Sequence, residues 1–274
     1  MKIKSNISVF QGRHVKEGKK NIQVFPKKSW VKDLELIKKN NFNFFNWILS
    51  EEMYLNPLIT EKLKVKKILK KLNLAILTIC CDYFMSNPIL KNKKKSLKIL
   101  KKIAISCKYL GVKYIEIPFF KKNILESKDQ IKELSQFLNS ILNKRDLKNI
   151  IFCIESNLTL ENYIYFMKNI KYKKFVKIIY DTGNSFKIDQ NKNFAKEAEV
   201  LKKYLKFIHI KDANSKSWTV RLGKGEVNFK RIFKILKKNS YNDYFVLQTA
   251  RANNDVNEIK RNVKFLKQFG YSFK

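Results

Sequence analysis

The sequence predicts a closed (β/α)8 barrel, formed as one domain over residues 1–274. Short apolar runs rich in β-branched and aromatic residues alternate with amphipathic stretches along the whole chain. That alternation is the pattern of a parallel sheet with helical crossovers. Eight such units fit in 274 residues, the usual size of a closed barrel. No Gly-x-Gly-x-x-Gly follows the first strand, which disfavours a doubly wound open sheet.

The elements follow in order. Ile7 to Phe10 is the first strand and ends in Gln11-Gly12-Arg13-His14. A polar loop runs to Pro26, and Ser29 is positioned to cap a helix carrying Val31, Leu34 and Ile37. Phe42 to Leu49 is the second strand, and a lysine-rich helix follows over 61–71. Leu74 to Cys81 is the third strand. The next helix starts at Ser96, shows Leu97, Leu100, Ile103, Ala104, Cys107 and Leu110 on one face, and stops at Gly111. Tyr114 to Ile117 is the fourth strand, closed by Pro118. Ser127 and Gln130 form a capping box ahead of Ile131, Leu134, Leu138 and Ile141.

Ile150 to Ile154 is the fifth strand, and Thr159 caps the helix after it. Val176 to Tyr180 and Phe207 to Ile210 are the sixth and seventh strands. The glycine-bearing loop 221–225 leads to a helix with Ile232, Phe233 and Leu236. Tyr244 to Leu247 is the eighth strand, and a last helix carries Val256, Ile259, Val263 and Leu266.

Bulk properties narrow the class. Apolar residues make up 45% of the chain, enough for a sizeable core, and 7 Gly with 4 Pro argue against disorder. The net charge of +36 suits a polyanion partner, but the lysines are spread evenly and arginine is confined to 13, 145, 221, 231, 251 and 261. The even spread reads as compositional bias, leaving weak, salt-sensitive adhesion and no specific nucleic-acid partner. Cys80, Cys81, Cys107 and Cys153 have no metal-knuckle spacing and read as reduced core thiols. With no signal peptide and no apolar run near the ~20 residues of a membrane helix, the expectation is a cytoplasmic protein without a membrane partner.

In a barrel of this kind the site lies at the C-terminal ends of the strands. Those ends in the second half carry Glu155, Asp181, His209 and Gln248. Two carboxylates, an imidazole and an amide oxygen suit one divalent ion, Mn, Mg, Co or Zn. A lone strand-end Asp is more often a turn or helix cap and a lone His more often structural, but four ligand types at four consecutive strand ends outweigh those readings.

The sequence here resembles the xylose-isomerase-like TIM barrels, the sugar phosphate isomerases/epimerases. The matching motifs are Ile-Glu-Ser-Asn at 154–157, Asp-Thr-Gly-Asn at 181–184, His-Ile-Lys-Asp at 209–212, Leu-Gly-Lys-Gly-Glu-Val-Asn-Phe at 222–229 and Phe-Val-Leu-Gln at 245–248. The resemblance implies metal binding by Glu155, Asp181, His209 and Gln248. It also implies proton transfer next to a carbonyl through a metal-stabilised enediolate, on a small-molecule sugar or sugar phosphate. Gln248 departs from the usual Glu, and an amide cannot serve as a base at neutral pH. Asn46 departs from a frequent Glu, and Asn184 from a frequent His.

Glu155 is then the general base, with Lys211, a metal-bound water or Glu116 as the acid partner, and Gln248 joins Glu155 and Lys211 in the catalytic set. Substrate contacts fall to Gln11, Arg13, Asn46, Glu116, Asn184, Arg221, Lys224 and Arg251. Arg221, Lys224 and Arg251 follow strands seven and eight, where barrels often bind phosphate, and Gly223 and Gly225 would bare backbone N–H groups to an anion. A tight turn explains the glycines equally well, and a surface role explains Lys211. Trp30 and Trp47 read as packing rather than sugar stacking. The alternative is a catalytically impaired sugar-binding barrel. An abasic-site endonuclease shares the barrel, but such enzymes bind three metals through many histidines, and this chain has 2.

Overall fold

A computed structural model of the chain describes residues 3–17, 23–188, 194–251 and 255–273. Its strands are β1 (Ile3–Phe10), β2 (Phe44–Ile48), β3 (Ala75–Cys80), β4 (Tyr114–Phe119), β5 (Ile151–Ser156), β6 (Val176–Asp181), β7 (Leu205–Ile210), β8 (Tyr244–Leu247) and β9 (Tyr271–Phe273). Its helices are α1 (Trp30–Lys39), α2 (Pro57–Thr60), α3 (Lys62–Leu72), α4 (Tyr83–Ser86), α5 (Lys93–Leu110), α6 (Lys128–Leu142), α7 (Leu160–Asn169), α8 (Thr182–Ile188), α9 (Phe194–Leu201), α10 (Phe229–Lys238) and α11 (Asp255–Lys267). Strand order runs β2-β3-β4-β5-β6-β7-β8-β1, and β1 also pairs with β2, so eight strands close on themselves as a (β/α)8 barrel. The strand-end positions predicted from sequence are therefore ends of a closed parallel sheet.

Several boundaries differ from expectation for local reasons. Ser29 precedes α1, but its hydroxyl makes no cap and instead donates to Glu17 at 2.6 Å. Helix α5 begins at Lys93 rather than Ser96, because the Asn92 side chain accepts the Lys95 N–H at 2.9 Å. Gly111 ends that helix at φ 74, the left-handed cap that a residue without Cβ favours. Pro118 does not close β4; the strand runs on to Phe119, with Pro118 opposite Glu155. The capping box at α6 is split: Ser127 accepts the Gln130 N–H, while Gln130 accepts from Glu126 rather than Ser127. Thr159 caps α7 as expected.

The Cα framework divides into two compact units, one of residues 1–46, 72–75 and 179–274, the other of 47–71 and 76–178. The core of the first is aromatic. Phe245 of β8 meets Phe233 of α10 at 5.5 Å between ring centroids and Tyr271 at 4.8 Å. Tyr271 also meets Phe233, at 5.5 Å, so the short strand β9 is held by ring packing as well as by its parallel pairing with β1. Sequence reading missed β9 because three residues carry no periodicity. The side chain of Val256, expected on the apolar face of α11, lies outside the described residues.

In the second unit, β3, β4 and β5 pair in parallel with Ile79 opposite Ile115 and Ile115 opposite Phe152, all buried. Ile103 and Cys107 of α5 and Leu134 and Leu138 of α6 are likewise buried. Trp47 is fully buried and its indole N–H donates to Asn56 at 3.0 Å, so it packs as expected; Trp30 is also buried. All four cysteines are buried and none is in a disulfide.

Candidate active site

Asp181 is the last residue of β6, and α8 starts at the next residue. Its Oδ1 accepts the Asn184 N–H at 2.6 Å, so the carboxylate caps the helix it leads into. Thr182 then ties this turn to β7. Its hydroxyl donates to the Lys211 carbonyl at 2.6 Å and accepts the Lys211 N–H at 3.0 Å. A Cβ on Gly183 would stand 2.7 Å from Lys211 Cγ, so glycine is needed for the lysine stem to cross here. Lys211 reaches over it and donates from Nζ to Asn184 Oδ1 at 2.7 Å. Thr182, Gly183 and Asn184 of the Asp-Thr-Gly-Asn motif therefore interlock with Lys211 of His-Ile-Lys-Asp. Lys211 is buried, against the bland surface reading of a lysine in this chain. His209 is fully buried, with Phe10 edge-on at 5.2 Å.

Asp212 holds the loop after β7 together, a role that sequence reasoning passed over. Its Oδ2 accepts the N–H groups of Gly223 at 2.8 Å and Gly225 at 2.9 Å, and its Oδ1 those of Ala213 at 3.0 Å and Val227 at 3.3 Å. The anion cradled by the glycine loop is thus the protein's own carboxylate. A Cβ on Gly225 would collide with Asp212 Oδ1 and the Ala213 carbonyl. Burial pushes the Asp212 carboxyl up from its ordinary value, and the four N–H donors pull it back down. The available signal was an Asp directly before a loop bearing two glycines.

Arg13, Arg221 and Arg251 are engaged with the protein. Arg221 makes a two-pronged pair with Glu258, Nε to Oε1 at 3.0 Å and Nη2 to Oε2 at 2.8 Å. Arg251 donates to the Gly12 carbonyl and, at 3.0 Å, to that of Glu17. Buried Arg13 donates to the Thr249 carbonyl. Together with Asp33 of α1, which accepts the N–H groups of Gly12 at 2.6 Å and His14 at 3.1 Å, they fix the turn after β1. Asp33 was also missed; a charged residue beside Leu34 on an apolar face was its mark. Lys224 is exposed in the glycine loop.

Gln11, just after β1, and Asn46, in the middle of β2 rather than near its end, are fully buried. The Asn46 carbonyl accepts the Gln11 N–H at 3.0 Å, and its side-chain oxygen accepts from Ser8 at 2.5 Å. Gln248, just after β8, donates from Nε2 to Gln23 Oε1 at 2.9 Å. That fixes the amide and leaves its buried Oε1 without a hydrogen-bond partner among the described residues. A bare buried carbonyl oxygen is costly unless a cation or donor meets it.

In the second unit Glu155 is buried near the end of β5, and Glu116 is fully buried on β4, accepting from Thr78 at 2.5 Å. Glu155, Asp181 and His209 each offer one ligand atom, and these atoms lie within 4.8 Å of one another. Two carboxylates and an imidazole fit a divalent ion of borderline or hard character.

A sequence-family profile described as "Xylose isomerase-like TIM barrel" matches residues 34–269. Among curated proteins no sequence match is found. Solved structures similar in fold include 3-keto-D-glucoside 4-epimerase from E. coli, with a TM-score of 0.70, 20% identity, and cover of 96% of this chain and 99% of that one. The IolI protein with a bound zinc atom gives 0.73 at 14% identity, covering 98% of each chain. A D-psicose 3-epimerase in the presence of D-fructose gives 0.70 at 14% identity, covering 98% and 99%. At such identities the likeness is one of fold.

Proposed function

The chain belongs to the xylose isomerase-like TIM barrel family, and from that premise we propose that it is a divalent-metal-dependent isomerase or epimerase of a sugar or sugar phosphate. The observation that carries this reading is the buried group of Glu155, Asp181 and His209. The bare Oε1 of Gln248 supports a fourth ligand. Epimerases of sugars and a zinc-holding protein among the structural neighbours agree with it.

These four residues would hold one Mn, Mg, Co or Zn ion. When bound, the ion would act as a Lewis acid toward a substrate carbonyl and its neighbouring hydroxyl. Glu155 takes the proton from the carbon beside that carbonyl. Gln248 orients but cannot abstract, because an amide has no basic lone pair at neutral pH. Chemistry with one carboxylate base, moving a proton between adjacent carbons on one face, therefore fits this chain better than epimerisation with a base on each face. Lys211, held against Asn184 at 2.7 Å, supplies a fixed cationic donor for a substrate oxygen. Gln11, Asn46, Asn184 and Glu116 are proposed contacts for sugar hydroxyls. Lys224 is the proposed contact for a phosphate; Arg13, Arg221 and Arg251 would act by shaping the loops they already hold.

The test is a panel of sugars and sugar phosphates incubated with metal-loaded protein in deuterated water. Deuterium entering a carbon-bound position beside the carbonyl is expected, and Glu155→Gln should slow it by about 10²- to 10⁴-fold. Full exchange by that variant would remove Glu155 as the base. The second reading, a sugar-binding barrel without catalysis, is favoured by Gln248 itself and requires saturable sugar binding with no exchange.

A further inference from the structure

We propose that the face formed by α3, α5 and the turn Met53–Leu55 is a docking surface for an anionic lipid bilayer. Ten large apolar side chains are exposed among the described residues, and five of them, Tyr54, Leu55, Leu63, Ile105 and Tyr109, belong to this one face. Leu55 is 75% exposed, and Leu63 and Ile105 are each 58% exposed. Lysines tie the pieces together. Lys102 of α5 lies 5.0 Å from the Tyr54 ring, and Lys66 of α3 lies 4.7 Å from the Tyr109 ring. Ile105 and Tyr109 are one turn apart on α5, and Leu63 and Lys66 one turn apart on α3, so the apolar groups and the cations interleave.

The charge on this face is one-sided. Helices α3 and α5 contain lysine as their only charged residue type. Lys93, Lys101 and Lys108 of α5 are engaged with Glu133, Asp146 and the Arg145 carbonyl, while Lys66 and Lys102 stand beside the exposed rings. Glu61, Glu133 and Asp146 pair with Lys64, Lys93 and Lys101, and Glu51 and Glu52 stand before Tyr54. The surplus remains strongly positive. Aliphatic side chains set among flexible lysines match the boundary between acyl chains and anionic headgroups, where the apolar groups enter and the ammonium groups stay at headgroup level. A nucleic acid has no use for exposed Leu55, Leu63 and Ile105, and its recognition favours arginine. A second copy would set lysine against lysine. No described helix is long and apolar enough to cross a membrane, so the association is peripheral.

Flotation of the full chain with phosphatidylcholine vesicles containing about 30% phosphatidylserine tests this at physiological salt. The protein should float with these vesicles and stay behind with phosphatidylcholine alone. The combined variant Leu55→Ser, Leu63→Ser and Ile105→Ser keeps the charge and should lower partitioning at least about tenfold. It should melt like the parent, since it alters exposed side chains; if it does not, Lys66→Glu with Lys102→Glu serves as the second variant and should lower partitioning as well. Vesicle binding unchanged in the triple variant would reduce the surface to charge adsorption and overturn the proposal. So would tighter binding of short single-stranded DNA that the triple variant weakens, or a dimer that the triple variant dissolves.

Discussion

At the scale of single residues, the motifs are explained by what their side chains touch. Gly183 is required by the Lys211 stem. Gly183→Ala should therefore destabilise the fold by about 1–3 kcal/mol and lower turnover, read by urea unfolding and by the exchange assay. Gln248→Glu adds a charge to the proposed ligand set and should tighten metal binding by about tenfold or more, measured by competition with a chelator. Unchanged affinity would mean that residue 248 is no ligand. The places of Asp181, His209 and Glu155 near the C-terminal ends of their strands were legible in the sequence, because a strand and its end are local features. Asp33 and the Gln23–Gln248 bond were not, since both depend on segments distant in sequence meeting in space.

At the scale of elements, the loop after β7 is organised by Asp212. Asp212→Asn replaces one acceptor oxygen with a donor, losing two of its backbone bonds and opposing their N–H groups. A loss of about 2–4 kcal/mol is expected, with faster amide exchange at Gly223 and Gly225. Equal exchange would mean the loop is set by its own backbone. The sequence left two readings of these glycines open, anion binding and a tight turn. The structure joins them, because the turn closes around an internal carboxylate. Strand centres were legible from β-branched runs. Helix starts were less so: Asn92 caps α5 where Ser96 had been expected, and both residues are good caps. Asn92→Ala should cost about 1 kcal/mol in unfolding free energy, a change that Ser96→Ala would not reproduce through capping.

At the scale of the whole molecule, the closed barrel was legible because it is the sum of eight similar signals, and an error of two residues at any strand leaves the alternation intact. The distribution of the +36 charge was not legible, since sequence alone does not say which lysines share a face with exposed apolar groups. Burial pushes the Cys80, Cys81 and Cys107 thiols up from their ordinary range. Native protein should thus react slowly with a thiol reagent, and unfolded protein should titrate all 4 cysteines without prior reduction. The central claim is that the strand ends hold one metal. Its most direct test is metal content by mass spectrometry on purified wild-type protein and Asp181→Ala, each also loaded with Mn²⁺, Mg²⁺, Co²⁺ or Zn²⁺ and then desalted. About one divalent ion per wild-type chain, lost in the variant, is the expected result. No ion retained by either protein after loading, or equal retention by both, would contradict the account.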